Sequence, residues 1–254
     1  MIYDVQKASM LKRFSAYLFD LILLAILAVG VAFVLSAALG YETTIDEREK
    51  LRDEYEQKYG VEFDITQDDY DKMTEDEKKV YTDAYGEFVK DPEVNTIDML
   101  LINLSLLILS FATLVPYILL ELVVPSLFKH GQTLGKKIFG IAVMRVDGVR
   151  ISTFQLFVRT VLGKYTMETM LPILLILLYI FNFMPLVSII ALPILLIVQF
   201  ICVVATKLHT PIHELLSATV SVDLASQLIF DSPEELMEYK KKLHAEAAEK
   251  ALYK

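Results

Sequence analysis

The 254 residues contain a single cysteine, Cys202, and it lies inside an apolar stretch. A disulfide framework and a thiolate metal cluster are therefore both excluded. Other signatures of chemistry are missing too. His209 and His213 stand four apart beside Glu214, but a zinc-protease HExxH would need histidine at 217, where Ser217 stands, and Pro211 interrupts a regular helix across the pair. Only three residues separate Gly131 from Gly135, and Lys137 follows Lys136 where a phosphate loop requires Ser or Thr. Contact with lipid headgroups is the ordinary role for those two lysines. The DxDxDG spacing of a calcium loop is absent, and no nucleophile, base and orienter occur together. The expectation is a non-enzyme with no cofactor, no metal and no nucleic-acid partner.

What the chain has in abundance is apolar sequence. Hydrophobic residues make up 55% and mean hydropathy is +0.48, although 22% of residues are charged. The apolar residues form blocks at 17–39, 99–124 and 167–206. The first two match the ~20 residues of a bilayer-spanning helix. The third has 40 residues and contains Asn182 and Pro185 near its middle, so it reads as a helical hairpin. Its first arm, 167–182, is short, which leaves a re-entrant loop as the alternative to a full crossing. Ala38-Leu39-Gly40 looks like a processing site, but the 23-residue apolar run before it is too long for a signal core and includes Asp20. An uncleaved anchor is expected.

Charge sets the orientation. Three Lys or Arg precede the first span and seven lie between 124 and 167, with Asp147 the one acid among them. The positive-inside rule puts both segments, and with them both termini, in the cytoplasm of a multi-pass cell-membrane protein. Residues 41–97 carry 19 acids and 8 bases, a net of −11 against −9 for the whole chain. The acidity thus belongs to one extracytoplasmic insert. Within it Gly60 ends a helix, Thr66 looks like a cap and Thr74 to Glu77 is a capping box. Tyr70, Met73, Val80, Tyr81, Tyr85, Phe88 and Val89 are positioned to pack a small helical cap.

Between the second and third blocks, alternating apolar residues flank Asp147-Gly148, a two-residue hairpin signal. Ser152 to Gln155 then opens a helix whose Phe154, Phe157, Val158, Val161, Leu162 and Tyr165 follow helical spacing, leaving Arg159 and Lys164 on other faces. That helix is expected to lie in the interface plane. Thr219 to Val222 alternates like a strand able to pair with the hairpin, and a polar helix begins at Ser232.

The fold class is an all-α integral membrane protein of about four transmembrane helices, with a small cytoplasmic β-hairpin, an interfacial helix and an acidic helical insert. Its segments are 1–40, 41–97, 98–124, 125–166, 167–206 and 207–254.

Three stretches together resemble the RDD family of bacterial membrane proteins, named for one arginine and two aspartates. KRFSAYLFDLILL supplies Arg13 and Asp20. GQTLGKKIFGIAVMRVDG is similar to the family's GxTxGKxxxGxxVxxxDG, with Gly131, Thr133, Gly135, Lys136, Gly140, Asp147 and Gly148 in place and Lys137 beside them. Glu121 and Arg159 match charges that commonly flank that segment. IHELLSATVSV looks like a third signature in which His213 is followed by Glu214 instead of aspartate. The resemblance implies transport of small cations coupled to protons. An alternative is a non-catalytic adaptor that recruits a partner through the acidic insert or the terminal helix. Four spans make a thin wall around a path, so a homo-oligomer or a membrane partner is expected beside the lipid bilayer. An acid inside the hydrocarbon needs a partner, and for Asp20 the candidates are Arg13, Arg159 and Lys137. Arg13, Asp20, Glu121, Arg159 and Glu214 either clasp the module to the spans or carry ions.

Overall fold

A computed structural model describes residues 5–206 and 210–252. His209 lies outside the described residues. The chain divides into two compact units, residues 29–112 and the remainder. Among the described residues, four helices are long and apolar enough to cross a membrane: Met10–Ala38, Pro92–Leu127, Thr153–Ile180 and Pro185–Ala205. The protein is an all-α membrane protein with one small sheet.

In the first unit, helix α1 (Met10–Ala38) gives way at Gly40, whose positive φ of 70° only glycine adopts freely, to α2 (Tyr41–Tyr59). Gly60, again left-handed, ends α2. Helix α3 (Gln67–Lys72) is capped by Thr66, and α4 (Glu75–Lys90) opens with a complete Thr74–Glu77 capping box. Helix α5 (Pro92–Pro116) follows, and α2 is tied to its start: Arg48 pairs with Asp98 at 2.5 Å and Tyr55 donates to Asp91 at 2.7 Å. The interior is aromatic. Phe63 packs edge-on against Tyr81 and Tyr85, and Phe88 is buried beside Tyr55. Val80 and Val89 are exposed, Tyr85 is half-exposed yet packs on Phe63 and Tyr81, and Phe63 and Tyr55, which periodicity did not single out, complete the core.

In the second unit the winding changes. Past Pro116, which cannot donate an amide to the preceding turn, the helix continues as π1 (Tyr117–Val123) and α6 (Val124–Leu127). A short α7 (Leu134–Ile138), capped by Thr133, leads into β1 (Ile141–Arg145). Asp147-Gly148 does form a turn, but only a single bridge, Met144 to Arg150, closes a hairpin there. The strand partner of β1 is β2 (Thr219–Asp223), antiparallel, from Ile141 opposite Asp223 to Arg145 opposite Thr219. Ala142, Met144, Val220 and Val222 form the fully buried core of this sheet. Helix α12 (Pro233–Leu252) docks at its start, where Leu236 and Tyr239 meet Val149 and Phe230.

The interfacial helix is the main correction. The segment opens as α8 (Thr153–Phe157) with the Ser152–Gln155 capping box, then runs unbroken through π2 (Val158–Met170) into α9 (Leu171–Ile180). It is the first half of a 28-residue helix, Thr153–Ile180, long and apolar enough to cross a membrane, so an arm of 167–182 that looked short acquires a spanning length. Phe154, Phe157 and Leu162 face outward, and Arg159, Thr160 and Gly163 are buried. Helix α10 (Pro185–Ala205) returns, and α11 (Ile212–Leu216) precedes β2.

Candidate functional site

Asp20 stands two turns beyond Arg13 on α1. Its partner is none of the cations named from sequence. One carboxylate oxygen accepts the Thr133 hydroxyl at 2.5 Å and the other the Gly135 amide at 2.7 Å. Thr133 also accepts the Lys136 amide at 3.3 Å, so it caps α7 and holds Asp20 at once. Gly135 must be glycine: a Cβ there would run into the Ala16 carbonyl and the Asp20 carboxylate. The Thr-x-Gly spacing of the segment is therefore a cradle for the aspartate of the first helix.

Arg13 turns instead to Glu214, at 3.3 Å, and Arg159 reaches the same carboxylate at 3.1 Å. Ser221 donates to Glu214 at 2.5 Å, and Arg159 spends a second arm on Thr219 at 2.7 Å. Glu214 is 1% exposed. Burial alone would raise its pKa, but Arg159, with Arg13 and the Ser221 hydroxyl behind it, holds the carboxyl down to about 2. Glu214 thus bridges two arginines from two different helices.

Glu121 pairs with Lys164 at 2.6 Å, and its main-chain carbonyl accepts Thr160 at 2.7 Å. His213 Nδ1 lies 2.8 and 2.9 Å from the two oxygens of Glu168, and its backbone amide donates to one of them at 3.0 Å. Burial, and then the nearby Arg159 charge, push the His213 pKa down to about 4, so the neutral ring donates from Nδ1. A base with a lowered folded-state pKa contributes stability that is present above its unfolded value and lost as pH falls toward the folded one. We expect the melting temperature of detergent-purified protein to fall as pH drops from 6.5 toward 4, and His213→Asn to flatten that fall; an unchanged slope in the variant would assign the loss to other groups.

The π-helical winding explains why Arg159, Lys164 and Glu168 meet. Nine positions separate Arg159 from Glu168. At the ~100° per residue of an α-helix they would face opposite ways, roughly 180° apart. With i→i+5 bonding, at roughly 82° per residue, they come within about 20° of one face. Two hydroxyls reinforce the wide turns, Thr166 donating to Val161 O at 2.8 Å and Thr169 to Lys164 O at 3.0 Å. Tyr117 of π1 bonds Thr169 at 2.8 Å and packs edge-on to Tyr165, so the two π segments are matched. At Gly163 a Cβ would come within 2.5 Å of His213 Cβ, which lets α11 lie directly on π2.

These residues surround a cavity of 360 Å³ that α1, π2, α10 and α11 line. Lys136 projects into it, 9% exposed, and no carboxylate among the described residues comes within 4 Å of its ammonium. Desolvation first, then Lys164 and Arg159, outweigh Glu121 and Asp20 and lower its pKa to about 7. The carbonyl oxygen of Gln199, on α10, is buried there and finds no donor among the described residues. Among the described residues no group of three or more His, Cys, Asp or Glu is arranged to hold a metal.

The other motif residues lie elsewhere. Gly131 at φ 59° packs on Ile151, and Gly140 and Gly148 have positive φ at turns. Asp147 accepts Arg145 at 2.7 Å and the Val149 amide at 3.2 Å, holding the turn. Lys137 lies over the Phe128 ring, 3.8 Å from its centroid. Glu168, Lys164, Gln199 and Ser221 were missed as site residues. An acid within the third apolar block was the available signal for Glu168.

The RDD family model matches residues 7–218. No curated protein and no solved structure matches the chain.

Proposed function

Because the chain belongs to the RDD family of membrane proteins, we propose that it exchanges small cations for protons across the cell membrane through the cavity around Lys136. One observation carries the reading: a buried ammonium with no ion-pair partner among the described residues shares that cavity with Asp20, and the Glu121 charge acts on it from behind Lys164. The protonated lysine is itself the cation of the resting site. When Lys136 releases its proton, Asp20 and Glu121 lose part of their compensation, and a small cation that enters restores the balance. One proton leaves for each monovalent cation that takes its place. A lysine held near pH 7 makes that exchange accessible at physiological pH.

The remaining charges keep the wall in shape: Glu214 ties α1 to π2 through Arg13 and Arg159, and His213 orients Glu168. In this proposal the role is non-catalytic, and charge asymmetry puts both termini and the sheet on the cytoplasmic side. A second copy or a membrane partner thickens the thin wall of four spans. The test is purified protein in liposomes loaded with a pH-sensitive dye. A step of external Na+ or K+ should drive protein-dependent proton efflux. Absence of any such flux in a folded, reconstituted sample would return the chain to the adaptor reading, with the acidic insert or α12 as the recruiting surface.

A further inference from the structure

We propose that the short helices α7 and α11, which lie outside the four spanning helices, are seated in the bilayer leaflet nearer the sheet, with Ile138, Leu215 and Leu216 against its acyl chains. Both helices are inside out for water. Helix α11 buries His213, Glu214 and Ser217 and turns Leu215 and Leu216 outward, 47% and 51% exposed. Helix α7 buries Lys136 against the cavity and leaves Ile138 62% exposed. In water a short helix is stabilised by the opposite arrangement, because burial of its apolar face is what holds it on the protein. Against hydrocarbon the preference reverses: an ionisable group belongs inside the protein, and an apolar side chain loses nothing by facing lipid. Lys137 is the exposed cation of α7. Its ammonium lies over the ring of Phe128, one residue past the spanning helix that ends at Leu127, which is where a lysine reaches the headgroups.

Contacts with the spans fix the depth. Gly135 lies so close to α1 that a Cβ there would meet the Ala16 carbonyl at 2.4 Å, and its amide bonds Asp20. Asp20 stands ten residues beyond Met10, about 15 Å along the first spanning helix. Helix α11 lies on Gly163, ten residues beyond Thr153 and again about 15 Å along its helix. Pro211 and His213 share the cavity wall with Gln199 and Val203 of α10. At these same levels the spans present Tyr17, Leu162 and Phe200 outward. The exposed apolar surface of three spanning helices therefore continues onto α7 and α11, and the hydrocarbon that covers the one is the occupant of the other. The clasp of Arg13, Glu214 and Arg159 then lies below the headgroups, where an unpaired charge is most costly.

This inference stands apart from ion exchange, since it concerns where two helices sit and not what crosses. The chain contains no tryptophan, so each single tryptophan variant reports one position. The full-length protein is placed in nanodiscs of phosphatidylcholine and phosphatidylglycerol, and its fluorescence is quenched either by lipid brominated on the acyl chains or by aqueous iodide. Phe200→Trp on α10 is the lipid-facing reference and Met237→Trp on the polar α12 the aqueous one; both positions are exposed. We expect Ile138→Trp and Leu216→Trp to lose roughly half of their emission to bromines near the glycerol backbone, less to bromines near the chain ends, as a helix seated about 5–10 Å into the leaflet does. Iodide should leave both nearly unchanged while quenching Met237→Trp. Should Leu216→Trp fail to fold, Leu215→Trp on the same helix carries the same expectation. Iodide quenching at either helix equal to that of Met237→Trp overturns the proposal, because that helix then faces water. Protection from both quenchers overturns it too, because a second copy of the chain then covers the face.

Discussion

Glu214→Ala is expected to accumulate in the membrane at a small fraction of the natural level, and whatever can be purified should melt far below the natural protein. The substitution leaves Arg13 and Arg159 facing one another across a buried position with no carboxylate between them. Stranding a charge of a buried pair destabilises by about 3–5 kcal/mol, and here two guanidinium groups lose the carboxylate they share. Ser221 loses its acceptor as well. Glu214→Gln keeps the shape and a carbonyl acceptor but not the charge, and should fall between the two. A second substitution, Arg159→Met, should restore part of the loss in Glu214→Ala, because an apolar side chain then occupies the place of an unpaired cation. Membrane abundance and thermal melting in detergent check this. A Glu214→Ala variant as abundant and as stable as the natural protein would show that the arginines find other acceptors.

Gly163→Ala should be nearly as damaging, for a steric reason. One added carbon meets His213 Cβ at 2.5 Å and His213 Cα at 2.6 Å, and the second of these is backbone that cannot rotate away. Overpacking of a close contact typically destabilises by about 1–3 kcal/mol, and relief here requires α11 to lift off π2. Lifting α11 lengthens the bonds from His213 to Glu168 and from Arg159 to Glu214 together. We expect loss of the pH-dependent part of the melting curve that His213 supplies, together with a lower melting temperature at every pH. Gly30→Ala, where a Cβ meets nothing within 4 Å, is the matched control and should be near neutral. If both variants melt alike, the close approach of α11 to π2 is not a constraint.

Much of the architecture was legible in the sequence because its signals are local. Apolar run lengths identify the spans, and Thr66, Thr74 and Ser152 cap the helices they precede. The alternation at 219–222 marks a strand whose partner is β1. The stretch from 153 to 170 misleads for a physical reason. Phe154, Phe157 and Leu162 follow α-helical spacing, and in a soluble protein such a stripe is buried; next to lipid an apolar side chain is as well placed facing outward. The stripe therefore marks the outer face. The inward face repeats at a wider, π-helical interval that a 3.6-residue template does not register. The partner of Asp20 was illegible in another way. It is a main-chain amide and a hydroxyl more than a hundred positions along the chain, and no rule of charge complementarity points to either. Sequence offers Arg13 and Arg159 as partners for Asp20, whereas the acid that both find, Glu214, lies in the third signature.

The central claim is that the proton on Lys136 is exchanged for a cation. The most direct measurement is Na+- or K+-driven proton flux in liposomes as a function of pH, comparing the natural protein with Lys136→Met at equal reconstituted amounts. With the Lys136 pKa lowered to about 7, the proposal has exchange slow below that pH, where the lysine keeps its proton, and faster above it. The account predicts flux that rises through a midpoint near pH 7 in the natural protein and is lost at every pH in Lys136→Met, while the variant remains folded. Flux of natural size with the same midpoint in Lys136→Met would contradict it.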